Sequence, residues 1–256
     1  KISKLMNKKL KIKSSESVKE LDVRNNFYNL FKKNPIPSEQ VLSNLGLFLN
    51  SKNLSRILFF DHLYKLNLDT QGIVMEFGVR WGHNLSLFSA LRGIYEPFNR
   101  HRKIVGFDTF KGFPSIHSKD GKSTLMKKGQ LDLTKNYEIY LEKILKFQEL
   151  DNPLAHLKKF ELCKGEATKE LTKYLKKNPE TIISLAYFDL DLYKPTKTCL
   201  EIIKSRLVKG SVIGFDELND PDSPGETLAL MESMGLNKIR LKRFKFASRV
   251  SYFIIE

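Results

Sequence analysis

The sequence predicts an α/β fold with a mostly parallel, seven-stranded sheet and helices on both faces. Five short apolar runs recur along the chain: IVMEF (73–77), KIVGFD (103–108), FELCKG (160–165), IISLAYFD (182–189) and SVIGFDE (211–217). Helical stretches such as NLSLFSALRGIY and PTKTCLEIIKSRL separate most of them, and this alternation implies parallel strands joined by right-handed crossovers. The tail breaks the rhythm. KIRLKRF and RVSYFIIE flank a short basic turn and read as a terminal antiparallel hairpin.

Taken in order, residues 1–37 form a basic arm that opens KISKLMNKKLKIKSSESVKE, a weakly periodic stretch expected to be mobile or a loosely docked helix. Residues 38–67 place apolar positions at helical spacing, most clearly in LSRILFFDHLYKL, and precede the sheet as helices. The remainder, 38–256, reads as one domain without repeats or low-complexity linkers. Between the second and third strands lies a long insertion, 109–159, which begins TFKGFPSIHSKDGKS and continues into the helical NYEIYLEKILKFQEL. A structured excursion at the carboxyl end of a parallel strand often serves as a lid or a substrate-binding element.

Composition narrows the classes. With 256 residues, 41% hydrophobic and 29% charged, the chain can bury one sizeable core. No apolar run approaches the roughly 20 residues that span a bilayer, and no apolar signal segment stands near the N-terminus. The first residue is Lys1 rather than Met, which leaves an upstream targeting segment open. Cys163 and Cys199, without metal-type spacing, read as small core residues and suit a reducing cytoplasm. The net charge of +15 points to anionic partners: nucleotide-linked substrates, a membrane surface or RNA. Solvated lysines account for it equally well.

The residues that can carry chemistry fall at the carboxyl ends of the strands. In VMEFGVRWGHNLS a strand ends near Glu76, then Gly78 and Gly82 turn the chain into a helix starting near Asn84. Glycines let the backbone approach a ligand, and a helix N-terminus attracts an anionic group. A nicotinamide dinucleotide site would read G-x-G-x-x-G. This loop reads E-x-G-x-x-x-G, which argues against pyrophosphate. Trp81, the single tryptophan, either covers a cofactor or packs the turn. Asp108 closes the second strand, where an acid can accept both ribose hydroxyls of a nucleoside or merely cap a turn. Asp189 and Asp191 follow the fourth strand, and Asp216 and Glu217 the fifth. Neighbouring parallel strands end on one edge, so these acids could converge as hard oxygen ligands for Mg²⁺ or a similar ion. The plainer alternative has Asp191 capping the next helix and Asp216 in a loop salt bridge. Of the histidines, only His117, on the insertion, is placed to reach a substrate. His62, His83, His101 and His156 read as structural or surface residues.

Together, EFGVRWGHN, GFDTFKGFP, YFDLDLYKPT and GFDELNDPDSPGET, in this order over roughly residues 55–235, resemble the class I S-adenosylmethionine-dependent methyltransferases. The likeness is greatest to the macrocin O-methyltransferase-like sugar methyltransferases. It implies a Rossmann-like fold and S-adenosyl-L-methionine as cofactor. Glu76, Gly78, Gly82 and Asn84 would surround its methionine part, with Trp81 beside them. Asp108, with Thr109 next to it, would take the ribose side, and Glu166 would lie near the adenine. The resemblance assigns Asp189, Asp216 and an adjacent carboxylate, here Glu217, to Mg²⁺ or Mn²⁺; several relatives have a second Asp at that last position. Asp189 and Asp191 are the acids expected at the reaction itself, with Asp191 either a base or a residue that holds the loop.

The function these readings imply is a metal-assisted O-methylation of a sugar hydroxyl on a nucleotide-linked sugar, a glycan or a glycosylated metabolite, in the cytoplasm. A further partner would be an anionic membrane surface met by the basic arm, and a homo-oligomer is left open. Two rivals stand beside it. An RNA methyltransferase would suit the positive charge, but neither a base-flipping pocket nor an RNA-binding module is visible, so nucleic acid is not the expected partner. A non-catalytic nucleoside-binding or scaffolding protein would not need the acidic set.

Overall fold

The computed structural model describes residues 17–256, and its contacts divide the chain into two units, Lys1–Arg56 and Ile57–Glu256. The part of the expected basic arm over 1–16 lies outside the described residues. In the first unit, Ser17 starts helix α1 (Val18–Lys32) with a capping box. Its hydroxyl accepts from the Glu20 N–H at 3.3 Å, and the Glu20 carboxylate accepts from the Ser17 N–H at 2.8 Å, so two otherwise orphaned donors are satisfied. Residues 38–48, expected as regular helix, form two 3₁₀ segments, Ser38–Gln40 and Leu42–Phe48. Pro35 and Pro37 precede them and cannot donate within a helix, and Asn44 leaves helical geometry (φ −115°, ψ 19°).

Helix α2 (Ser51–Asn67) carries Phe59, Phe60, Leu63 and Tyr64, all buried, into the core of the second unit. There follow β1 (Ile73–Phe77), α3 (His83–Tyr95), β2 (Ile104–Asp108), α4 (Tyr137–Leu150), β3 (Phe160–Lys164), α5 (Ala167–Lys177), β4 (Ile183–Phe188), α6 (Tyr193–Ile203), β5 (Leu207–Phe215), α7 (Gly225–Met234), β6 (Lys242–Arg243) and β7 (Ser251–Ile254). The sheet order is β3-β2-β1-β4-β5-β7-β6. β1 to β5 run parallel, and β7 is antiparallel to both β5 and β6. The seven-stranded, mostly parallel sheet with a C-terminal hairpin is as the sequence predicts. The hairpin's first strand is only two residues long, and β5 begins at Leu207, a residue that continues the helical pattern of the sequence before it.

Strand alternation explains the two-sided core. Met75, Phe77, Val105 and Phe107 face one side and pack with Leu171 of α5, Leu200 of α6 and Leu230 of α7. Val74, Ile104, Leu185 and Tyr187 face the other and meet Phe59 of α2, Phe88 of α3 and Leu145 of α4. Helix α4 belongs to this second layer as the crossover between the adjacent parallel strands β2 and β3. A buried cluster fixes its end: the Arg92 guanidinium meets Glu149 at 2.7 Å, and the Lys159 ammonium meets the same carboxylate at 2.7 Å. The stretch between β2 and β3 therefore divides into an ordinary crossover helix and a separate segment, 109–136.

Across the sheet, Phe107, Phe77, Phe188, Phe215 and Phe253 form a row of stacked rings, with successive centroids 5.1, 4.7, 5.3 and 6.4 Å apart. In four of the five strands that phenylalanine is followed at once by Gly78, Asp108, Asp189 or Asp216. The row thus lies directly beneath the loops that leave the carboxyl edge. The strand order reverses between β1 and β4, which opens the crevice where ligands of such sheets bind.

Candidate active site

The glycine turn is built by close backbone approach. Gly78 has φ +93°, and a Cβ there would sit 1.9 Å from the carbonyl oxygen of Asp189, so the β1 and β4 loops touch only because that side chain is absent. Gly82, at φ +78°, caps α3, and a Cβ on it would meet Leu141 of α4 at 2.3 Å. Asn84, in the first turn of α3, donates to Glu76 Oε1 at 3.0 Å and to Asp189 Oδ2 at 3.4 Å. Asn84 thus ties Glu76 to Asp189 beside the glycine turn. Trp81 is half-exposed and lies edge-on to Tyr137 at 4.8 Å, while the Tyr137 hydroxyl donates to the Trp81 carbonyl at 3.0 Å.

Asp108 faces the same turn. Its Oδ2 accepts from the Arg80 N–H at 2.7 Å and its Oδ1 from the Phe110 N–H at 2.6 Å, which leaves lone pairs on both oxygens for a diol. Burial pushes its pKa up, and the backbone donors of Arg80, Phe110 and Val79 oppose that shift. Beside it opens a cleft of about 460 Å³ lined by Thr109, Phe113, Pro114, Gly165 and Glu166 among others. The Thr109 hydroxyl donates to the Gly112 carbonyl at 2.8 Å, and Glu166 is ion-paired with Lys169. Thr109 and Glu166 thus line one cleft at the ends of β2 and β3, and Asp108 directly precedes Thr109 in the chain.

The acids after β4 and β5 stand nearby. Asp191 takes a left-handed backbone (φ +60°), a conformation a non-glycine residue adopts only when its surroundings enforce it. Glu226, fully buried at the start of α7, supplies part of that enforcement: its Oε1 accepts from the Leu190 N–H at 2.8 Å and from the Asp191 N–H at 3.3 Å. Burial, then the charge of Asp216, raises the Asp191 carboxyl to about 7, against the opposing charges of Arg249 and Arg80. Burial, then the charges of Asp191 and Asp189, holds Glu226 well above the usual carboxylate range. Asp216 accepts from the Tyr187 hydroxyl at 3.0 Å.

Carboxylate oxygens are the donors a hard dication prefers, and mutual repulsion is what a cation would relieve. Among the described residues, however, no group of three His, Cys, Asp or Glu side chains is arranged to hold an ion. Glu217 is buried and ion-paired with Arg249, which also reaches Asp220 at 3.2 Å. The acids form a negative ledge rather than a finished ligand set. His117 is engaged locally: its Nδ1 accepts from the Lys119 N–H at 3.2 Å, and its ring lies 5.0 Å from that of Tyr193. Glu226, Arg80 and Arg249 are the residues the sequence did not single out. Only Arg80 had a local signal, by lying inside the glycine turn.

No protein-family model and no curated protein matches the chain. Solved structures do. The crystal structure of CalS11, a calicheamicin methyltransferase, superposes with a TM-score of 0.91 at 39% identity, covering 94% of both chains. An apo structure of CalS11, described as a TDP-rhamnose 3'-O-methyltransferase in calicheamicin biosynthesis, gives 0.83 at 37% identity over 94% of this chain and 96% of that one. The O-methyltransferase NovP shares the fold, with a TM-score of 0.57 at 14% identity over 78% of this chain and 79% of its own.

Proposed function

Because the chain belongs to the class I S-adenosylmethionine-dependent O-methyltransferases, the family of CalS11, we propose that its acceptor is a sugar hydroxyl, first of all on a nucleotide-linked deoxysugar. The observation that carries this reading is the 37% identity, over 94% of this chain, to a TDP-rhamnose 3'-O-methyltransferase. When bound, S-adenosylmethionine supplies a methyl group already activated on a sulfonium. The protein's task is to align an oxygen with it and to accept a proton. Asn84, Glu76 and the glycine turn would hold the methionine end, and Asp108 would take the ribose hydroxyls. Asp191, held in its left-handed turn with its N–H on Glu226, would take the proton of the sugar hydroxyl that is methylated.

The divalent cation remains part of the proposal on one ground, the repulsion shared by Asp189, Asp191, Asp216 and Glu226. Asp189 and Asp216 would hold it, with Glu217 kept back by Arg249. When bound, such an ion acidifies a hydroxyl. A cytoplasmic setting is likewise proposed, supported by the two free cysteines, Cys163 and Cys199. Among the described residues no helix is long and apolar enough to cross a membrane.

The test is a mass-spectrometric screen with isotope-labelled S-adenosylmethionine against TDP-rhamnose, other nucleotide sugars, glycosides and RNA. Label on a sugar oxygen is the expected result. Label on RNA alone would overturn the reading and return the +15 charge to nucleic-acid binding.

A further inference from the structure

Segment 109–136 closes on itself before it reaches α4. Lys111 bridges to Asp132, the Phe113 N–H donates to the Gln130 carbonyl at 3.0 Å, and the Gly129 N–H donates to the Phe113 carbonyl at 2.9 Å. Inside it sits a small core of Phe113 and Met126, and the third buried member of that core is Leu192, from the loop between β4 and α6. The segment is therefore packed onto the loop that carries Asp191.

A polar joint reinforces the packing. Asp120, 1% exposed, accepts from the Tyr193 N–H through Oδ1 at 2.6 Å and from the His117 N–H through Oδ2 at 2.6 Å. The junction has no spare room. A Cβ on Gly225 would meet the Tyr193 nitrogen at 2.7 Å, the Asp191 carbonyl oxygen at 2.9 Å and Asp120 Oδ1 at 3.1 Å. On the surface above it, Glu232 accepts from the Tyr193 hydroxyl at 2.6 Å and pairs with Lys119. The loop 190–193 is thus suspended between two buried carboxylates: Glu226 takes the amides of Leu190 and Asp191, and Asp120 takes the amide of Tyr193.

We propose that Asp120 is a positioning residue for Asp191, and that segment 109–136 is a fixed wall of the acceptor site rather than a lid. The catalytic part rests on the reading of Asp191 as the base. Tyr193 opens α6, so the Asp120 bond fixes where that helix begins and with it the strained turn two residues earlier. An Asn at 120 keeps the size but presents an amide N–H₂ to one of two buried backbone donors, and so cannot satisfy both. The positioning is lost while the glycine turn, whose contacts are with Asp189 and Leu190 rather than with Asp120, keeps its place.

Two measurements on the full chain test this. Amide hydrogen exchange should be at least about tenfold faster at Asp191 and Tyr193 in Asp120→Asn, and unchanged at Gly78 and Gly82. Acceleration at Tyr193 alone would show a local bond with no hold on Asp191 and would overturn the proposal. In turnover of TDP-rhamnose, kcat should fall at least about tenfold with S-adenosylmethionine affinity unchanged, and Asp120→Asn/Asp191→Asn should be no slower than Asp191→Asn. Additive losses in that double variant would mean that Asp120 acts elsewhere. If Asp191→Asn keeps full activity, the base reading fails, and the exchange experiment still decides whether Asp120 holds the loop. Should Asp120→Asn fail to fold, Tyr193→Pro removes the same N–H at a first helical position, where proline is favoured. Leu192 is already extended (φ −110°, ψ 137°), as a residue before proline must be. Tyr193→Pro should then accelerate exchange at Asp191 relative to Tyr193→Leu, and equal rates would overturn the proposal.

Discussion

Replacing Gly78 by alanine tests the central geometric claim, that the cofactor turn and the acid-bearing loop are held in direct backbone contact. The new methyl group would stand 1.9 Å from the Asp189 oxygen, 2.5 Å from its carbonyl carbon and 3.2 Å from the Leu190 nitrogen. None of these atoms can swing aside as a side chain would. Holding an L-residue in left-handed geometry costs roughly 1–2 kcal/mol. Forcing extra volume into a packed site adds typically about 1–3 kcal/mol. A loss of about 2–5 kcal/mol follows, a large part of the ~5–15 kcal/mol that keeps a domain folded. Urea unfolding reads the stability, and calorimetry should show S-adenosylmethionine binding at least about tenfold weaker, because Asn84 bridges the two loops that must part. Gly82→Ala meets only the movable Leu141 side chain and should cost less, about 1–3 kcal/mol. Gly46→Ala meets nothing within 4 Å and should change stability by less than about 0.5 kcal/mol. A Gly78→Ala protein with wild-type stability and cofactor affinity would refute the loop contact.

Asp108→Asn should keep the fold and weaken S-adenosylmethionine binding about tenfold or more, since a hydrogen bond to a charged acceptor contributes about 1.5–3 kcal/mol; unchanged affinity by calorimetry would remove Asp108 from the ribose. The acidic ledge makes a pH-dependent prediction. A carboxyl whose folded pKa is raised from near 4 to about 7 binds more protons folded than unfolded, so the cation-free chain should lose stability as pH rises through that window. Mg²⁺ should therefore raise the melting temperature more at pH 7.5 than at pH 5, and exhaustive chelation should abolish turnover. Equal shifts at both pH values, or full activity in chelator, would take the ion out of the mechanism.

The residues proposed for this site were legible as candidates because they sit at strand ends, where chain order and sheet order together dictate position. Gly78, Asp108, Asp189 and Asp216 each follow a phenylalanine that closes a buried run, and the Phe-Asp dipeptide that recurs at the last three is a signal in the sequence itself. Asp120 and Glu226 gave no such signal. Asp120 stands in the polar stretch SIHSKDGKS, which reads as a solvated loop until Tyr193, 73 residues on, is seen to donate to it. Glu226 opens a helix, where an acid usually needs no more explanation than the helix dipole. Its burial depends on the loop after β4, and no local pattern encodes that. The ion pair of Glu217 with Arg249 is likewise a pairing of distant segments. Helix α4 was within reach, because adjacent parallel strands need a helical crossover and 136–150 is the helical stretch available between β2 and β3.

The row of five stacked phenylalanines has a consequence for how such an enzyme can diversify. The loops after β1, β2, β4 and β5 start from one aromatic platform, so those four strand ends keep a common height whatever the loops do. Changes further along the loop after β5 can therefore occur without moving the ends of β1 and β4, where the glycine turn meets Asp189.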